Sequence, residues 1–491
     1  MSLSNTTLSF KQLLSREIMN KLKYIIASLL ALMLSGCNSF LELSPKSQVN
    51  ENGYYKTEED FTTSMHAVYA TLHTIYGPQS LPSYFGECAS DNAYCNETAG
   101  DYNDKYALTK HQNLTTANAI VLDFWNTYYK AMFKINNVLN KMEGSDFSTK
   151  KQIQGECRFI RALYYFDMVR AWGDIPLVLV PVTVAQSYGM ARTSTADIYK
   201  AIIDDLEFAA SNLPPKTSER FAGAATSDAA NVLLGKVYLT MGNKEAAKTV
   251  LMKEYGKFSL ETEYAKLWNP KNKNCRESIF EVQYLGGKSN PYSKYWAVFA
   301  PLDNRCVTAW GMGANQVTED LYQAFEKGDP RREATVQNGY TNTNGNFIAD
   351  KFFVKWRDNG AELDKLTEAA NNNFIILRYA DVLLMLTEAT GEAKYMNEVR
   401  TRAGLPGYGD PNYPTAYNTL EAALQHEEQV EFGGEFHRMF DLLRHGTAMT
   451  VINQCSKEHG KITNANQFLL PIPQYVVDQN PTVIRQNNAY K

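Results

Sequence analysis

The sequence predicts a mainly α-helical protein: a body of tetratricopeptide-like helical repeats, a loop-rich C-terminal portion packed on it, and few short strands. Three observations lead there. Apolar residues recur at three- and four-residue spacing through most of the chain. One stretch carries the small-residue spacing of a helical repeat unit. Between Tyr255 and Ala370 that periodicity fades, and Asn, Gly and Lys become frequent.

The N-terminus reads as an export signal. Lys21 and Lys23 precede a short apolar core, Tyr24 to Leu34, too short to span a bilayer comfortably. Met19 is an alternative start. The core ends at Leu34-Ser35-Gly36-Cys37, a bacterial lipobox in which small residues precede a cysteine that becomes the new N-terminus. The thiol of Cys37 takes a diacylglyceryl group as a thioether, and buried acyl methylenes, palmitate-like chains among them, each contribute about 0.8 kcal/mol to anchoring. Asn38–Asn52, with Pro45, reads as the leash.

The helices follow in order. Thr57 is an N-cap before an acidic first turn, and Phe61, Met65, Val68, Leu72 and Ile75 follow at helical spacing. Ile120, Phe124, Tyr128, Met132, Ile135, Leu139 and Met142 make a longer stripe. Ser148 is read as the cap of the next helix, which carries Ile153, Cys157, Ile160, Tyr164 and Met168 and stops at Gly173. A further helix starts at Thr195 and is closed by Pro214-Pro215. In "LLGKVYLTMGNKEAAKTVL", Leu234, Gly235, Tyr238, Gly242 and Ala247 stand at repeat-unit spacing. Gly235 and Ala247 allow close approach of two helices, Tyr238 fills the groove and Gly242 turns the chain. Such a unit must stack on neighbours to bury its face.

"SIFEVQYL" alternates and reads as a short strand. Helices are expected to resume at "FIILRYADVLLMLTEA" and "AKYMNEVRTRAGLP", then from near Leu420 to Phe432, with Gly433-Gly434 as a break before "EFHRMFDLLRHG". The tail "LLPIPQYVVDQNP" is too proline-rich for a helix and is expected to lie over the body.

Composition narrows the function. The chain is 44% hydrophobic and 21% charged with a formal net charge of -4, ordinary globular usage without a basic block, which argues against nucleic acid. Beyond Cys37 there are Cys88, Cys95, Cys157, Cys275, Cys306 and Cys455. Cys88 and Cys95 are close enough in sequence to pair, with free thiols as the alternative; Cys157 reads as a small core residue.

No catalytic constellation holds. "HEEQV" at His426–Val430 lacks the second His of a helical zinc site, and Glu427 and Glu431 read as a solvated stripe. "DYNDKYALTKHQ" at Asp101–Gln112 is not an EF-hand, lacking the sixth-position Gly and twelfth-position Glu, though a looser structural Ca²⁺ site stays open. "GMG" at Gly311–Gly313 is too short to cradle phosphate, and no Gly-x-Ser-x-Gly elbow is present. What remains is two groups of aromatic residues in loops. One holds Tyr84, Phe85, Tyr94 and Tyr102 among Asp91, Asn92, Asn96 and Asp101. The other holds Tyr292, Tyr295, Trp296 and Trp310 beside Asn304, Arg305 and Asn315. Aromatic faces stack on the apolar C–H faces of sugars while amides, carboxylates and guanidinium groups bond the hydroxyls. The ligand-binding set is therefore Tyr84, Asn92, Tyr94, Tyr102, Tyr292, Tyr295, Trp296, Arg305 and Trp310, with gap-filling in the loop layer as the alternative for any one ring.

Six stretches, in order, resemble the SusD/RagB family of outer-membrane lipoproteins: "CNSFLELSPKSQVNENGYYKTEEDFTTSMHAVYATL", "RFIRALYYFDMVRAWGDIPLVL", "RYADVLLMLTEA", "NEVRTRAGLP", "EFHRMFDLLRHG" and "LLPIPQYVVDQNP". The resemblance implies a non-catalytic, surface-exposed nutrient-binding protein that caps a SusC-like TonB-dependent transporter and hands over an oligosaccharide, or peptides in RagB-like members. A surface lipoprotein hydrolase is the remaining alternative. It implies a signal segment at 1–36, a lipidated tether at 37–56, a SusD-like helical region at 57–270 and a C-terminal RagB/SusD region at 271–491. It marks Arg161, Trp172, Asp174, Arg378, Asp381, Arg400, His437, Asp441 and Arg444 as structural, with Arg–Asp pairs and helix caps in the core. The stretch between "LTEATG" and "NEVRTRAG" is shorter than the family's usual connection.

Overall fold

The first long helix, α1 (Glu58–Tyr69), begins as its residues dictate. The Thr57 hydroxyl accepts from the Asp60 amide at 3.2 Å, and the Asp60 carboxylate accepts from the Thr57 amide at 2.9 Å. A computed structural model describes residues 55–95, 103–302, 307–308, 311–364, 367–455 and 459–491. The expected signal segment at 1–36, Cys37 and residues 38–54 of the expected tether lie outside them, and Thr57–Lys491 forms one compact unit.

Helix α2 (Ala119–Lys141) is capped by Asn118, and α3 (Lys150–Trp172) stops at Gly173, whose φ of 72° suits a residue without Cβ. Ser148 is not the cap of α3. Its hydroxyl and that of Thr149 donate to the Glu58 carboxylate at 3.3 and 2.7 Å, tying the start of α3 to the start of α1. Ser194 caps α4 (Thr195–Asn212). Helices α5 (Ser227–Thr240) and α6 (Lys244–Leu251) form the repeat unit that the spacing predicts. A Cβ on Gly235 would lie 2.6 Å from Leu251, and Gly242 turns the chain at φ +77°. Tyr238 is half-buried and reaches Glu207 of α4 at 3.4 Å.

Helix α3 packs along α4, α4 along α5, and α5 along α6. The chain then leaves the stack and returns as α7 (Tyr379–Thr390), which packs on α6 and is followed by α8 (Lys394–Arg402). The stack is thus continuous in space although the sequence interrupts it between 252 and 378. The excursion holds most strands. Strands β1 (Ala93–Tyr94), β3 (Gln316–Val317), β4 (Val336–Thr341) and β5 (Phe347–Phe353) form an antiparallel sheet in the order β1-β3-β5-β4. Strand β2 (Ser278–Val282) pairs with β8 (Phe374–Arg378), and β6 (Glu362–Asp364) pairs with β7 (Thr367–Ala369).

Strand β8 corrects one expectation: "FIILR" is not helical. Its side chains are buried on both faces, and an apolar run that short does not distinguish strand from helix. The helix starts where the Arg378 amide donates to the Asp381 carboxylate at 2.9 Å. The tail corrects another. Gln474–Gln479 is a short helix, because the prolines flank it and none lies inside. The tail does cross the body: the Leu470 amide donates to the Ala171 carbonyl at 2.8 Å and the Trp172 indole to the Pro471 carbonyl at 3.2 Å.

Helices α9 (Leu420–Phe432) and α10 (Arg438–Arg444) complete the C-terminal portion. Glu427 and Glu431 of α9 are fully buried, not solvated. Arg331 reaches them at 2.5 and 2.9 Å, Arg400 reaches Glu427 at 2.8 Å, and Arg378 reaches Glu431 at 2.6 Å, with Arg402 also on Glu431. Burial alone would raise the Glu431 carboxyl; Arg402, Arg378 and Arg331 hold it far below the usual range. Arg378 also holds Glu277 and Glu435, at 2.8 and 2.9 Å. The residues marked as structural therefore pair chiefly with glutamates in this lattice. Arg161 pairs with Asp205 at 2.7 Å, and Asp174 accepts from the Thr195 amide at 2.8 Å to cap α4.

Candidate ligand-binding site

Tyr94 pairs with Gln316 and Ala93 with Val317, so the end of β1 lies beside the start of β3. The segment that follows β1 and the segment that precedes β3 leave the sheet at one place. Of the two aromatic groups chosen from the sequence, Tyr84 and Phe85 precede β1, Tyr94 ends it, and Tyr292, Tyr295 and Trp296 precede β3. A buried anchor fixes the β1 side. Pro82–Cys88 is a π-helical turn, and its Glu87 accepts from the backbone amides of Gly434 at 2.8 Å and Phe436 at 3.0 Å. Burial pushes the Glu87 carboxyl up to about 7 against the pull of these donors. Arg438 grips Asp91 through two bonds of 2.8 Å. On the β3 side, the Thr318 amide donates to the Asn92 carbonyl at 3.1 Å.

The structure separates the candidates into two kinds. Tyr84, Tyr295 and Trp296 are 1%, 0% and 3% exposed and are core rings, not stacking platforms. Tyr295 stacks on Phe374 with centroids 5.1 Å apart and lies 5.2 Å from Trp356. Its hydroxyl donates to the Tyr76 carbonyl. Trp296 packs against Phe352 at 6.1 Å, with the Arg357 guanidinium 5.0 Å above its ring. Asn92 is also withdrawn: its amide donates to Glu87 at 3.0 Å and its oxygen accepts from Gln429 at 3.2 Å. Sequence could not tell these apart, since ring type alone does not reveal which side of a loop faces inward.

Tyr94 and Tyr292 are half-buried, and Lys294 stands 5.1 Å over the Tyr292 ring. Tyr102, Arg305 and Trp310 lie outside the described residues. The β6–β7 pair, which the sequence did not single out, packs beside these segments. The Thr308 hydroxyl donates to Glu368 of that hairpin at 2.8 Å, and Ser293 bridges to Ala370 just beyond it. Leu302 and Leu363, 54% and 53% exposed, add apolar surface on these same segments. The polar "ELDKLTEA" carried no alternation that would have singled the hairpin out.

Cys88 and Cys95 are buried free thiols, so the bridge between them is not made; the Cys88 thiol bonds the Asn315 side-chain oxygen. Cys157 is a fully buried core residue. In the stretch considered for Ca²⁺, Asn103–Thr109 is helical and the Asp104 carboxylate accepts from the Ala119 amide at 2.8 Å, which commits one of its oxygens to capping α2. Glu388, Glu428 and His445 bring ligand atoms within 4.8 Å of one another. Arg444 already pairs with both carboxylates there, so a guanidinium stands where an added cation would have to sit.

Two family profiles match the chain. One, described as "Starch-binding associating with outer membrane", covers residues 39–239, and the other, the SusD family, covers residues 330–490. The chain belongs to the SusD/RagB family. A SusD-like protein, P25, of Formosa agariphila is 25% identical over 93% of this chain and 97% of its own. A solved SusD superfamily protein from Bacteroides vulgatus superposes with a TM-score of 0.75 at 24% identity, covering 89% of this chain and all of that one. A solved laminarin-binding SusD-like protein does so with a TM-score of 0.75 at 25% identity and the same coverage. The arginine–glutamate lattice from Arg331 to Glu435 falls mostly inside the second SusD/RagB profile. The aromatic group from Tyr292 to Trp310 falls between the two profiles, in sequence that neither matches.

Proposed function

We propose that this chain is a non-catalytic glycan-binding lipoprotein of the outer membrane, anchored through Cys37 and exposed to the exterior. It captures oligosaccharide between the segments that flank the β1–β3 pair and passes it to a SusC-like TonB-dependent transporter. The observation that most supports the reading is the Tyr94–Gln316 pairing, which sets the end of β1 beside the start of β3, more than two hundred residues later in the chain. The relative that binds laminarin, matched over its full length, supports a glycan as the ligand class. Tyr94, Tyr102, Tyr292, Arg305 and Trp310 form the revised binding set. The reading is tested by titrating laminarin oligosaccharides and a panel of other neutral hexasaccharides into the protein by calorimetry. Saturable binding of a glycan supports it. Binding of peptides with none of the glycans would replace it with peptide capture, and release of reducing ends would make the protein a hydrolase.

A further inference from the structure

A groove of about 360 Å³ runs between α2, residues 176–190 and the C-terminal helix Gln474–Gln479, and no residue of β1 or β3 lines it. Its walls include Trp125, Met132, Val178, Val182, Val476 and Ile484. That volume lies within the range of ligand pockets. Its rim is unusually apolar for a free surface: Val184 is 72% exposed, Tyr475 61%, Val180 58%, Tyr188 50% and Phe133 48%. Sugar recognition is disfavoured here. Asn480, an amide in the lining, is already engaged, its oxygen accepting from the Gly189 amide at 2.8 Å and its nitrogen donating to the Val476 carbonyl at 3.3 Å.

The chemistry beside the groove points to one kind of occupant. Lys130, Lys134 and Lys141 stand on the outward side of α2 next to Phe133, with Asp123 as the acidic residue on that side. Lys130 and Lys134 are exposed, and no described carboxylate lies within ion-pair distance of either. Apolar side chains and tyrosines beside unpaired lysines are the composition of surfaces that sit in the headgroup region of anionic bilayers. From Cys37 to Thr57 the chain can extend to roughly 60 Å at about 3.3 Å per residue, so the body stays within reach of the membrane that its lipid would enter.

We propose that this groove seats an acyl chain of an anionic membrane lipid and docks the body side-on to the lipid surface. The groove is separate from the proposed glycan site; its nearness to the membrane rests on the lipidation proposed at Cys37, while its binding to lipid does not. The experiment uses the unlipidated chain beginning at residue 38, with vesicles of phosphatidylcholine alone or mixed equally with phosphatidylglycerol. Co-sedimentation at least about ten-fold stronger with the anionic vesicles is expected, falling at least about five-fold in Val184→Asp and in the double variant Lys130→Glu, Lys134→Glu. Vesicles with brominated acyl chains are expected to quench tryptophan fluorescence in the parent and less in Trp125→Phe. Val184 and both lysines are exposed, so these variants fold; circular dichroism and melting confirm it. Absence of binding to anionic vesicles, or binding unchanged by Val184→Asp, overturns the proposal. So does a dimer in sedimentation velocity that Val184→Asp dissolves, which would make a second copy the occupant.

Discussion

Tyr94 and Gln316 face each other across the β1–β3 ladder, which sets the end of β1 beside the residues that enter β3. Tyr94 and Tyr292 are half-buried, whereas Tyr295 and Trp296 are core. Tyr292→Ala and Trp310→Ala are expected to weaken oligosaccharide binding by about 1–3 kcal/mol each, the range of a lost stacking contact, with little change in melting temperature. Tyr295→Ala and Trp296→Ala are expected to cost about 3–5 kcal/mol of stability instead. Calorimetry paired with thermal melts separates the two classes. A Trp296→Ala protein that melts like the parent would show that this ring is not core.

The lattice around Arg378 makes a second prediction. Arg378 holds Glu277, Glu431 and Glu435, all fully or nearly fully buried. Replacing it by Met leaves these carboxylates with fewer cations in a medium that stabilises charge poorly. Arg378→Met is expected to cost about 3–5 kcal/mol, read as a lower urea midpoint. Arg276→Met, at a half-exposed pair 3.8 Å from Glu261, is expected to cost less than about 1 kcal/mol.

These cases show what the sequence could and could not reveal. The helical stack was legible because periodicity, caps and the Gly235–Ala247 spacing are local. The boundary at Arg378 was not, because β8 is a strand only through its pairing with β2, almost a hundred residues earlier. Glu427 and Glu431 look like a solvated stripe until Arg331, Arg378, Arg400 and Arg402 arrive from three other segments. For the proposed site, the sequence offered two aromatic neighbourhoods but not which rings are core: the burial of Tyr84, Tyr295 and Trp296 depends on tertiary packing.

Gly235 tests the repeat unit. A Cβ there would lie 2.6 Å from Leu251, so α5 and α6 would have to separate. Gly235→Val is expected to destabilise by about 1–3 kcal/mol through overpacking, despite the gain in helix propensity. In a Leu251→Ala background the same change should cost at least about 1 kcal/mol less, because the obstructing side chain is gone. Equal costs in both backgrounds would place the strain elsewhere.

Cys37 carries the anchoring claim. Cys37→Ser removes the thiol that a thioether requires, and the variant is expected to fractionate as a soluble, unlabelled protein in surface biotinylation. Glycan affinity measured on the purified variant is expected to be unchanged, since the proposed site lies within the Thr57–Lys491 unit. Normal display of Cys37→Ser would remove lipidation from the account.

Glu87 gives a pH signature. Its carboxyl is pushed up to about 7 by burial, above the unfolded value near 4.5, so the folded state binds a proton more tightly than the unfolded chain. The stability this supplies is fully present below pH about 4.5 and is lost as pH rises through about 7, up to roughly 3 kcal/mol from this group. Glu87→Gln cannot titrate. One of its two acceptor oxygens becomes a donor facing the Gly434 or Phe436 amide, so the variant is expected to be less stable at pH 5.5. Its melting temperature should nonetheless fall less than the parent's between pH 5.5 and 8.5, and the two curves should converge at the alkaline end. Parallel curves across that interval would show that the Glu87 carboxyl titrates elsewhere, and that the donors from Gly434, Phe436 and Asn92 outweigh its burial.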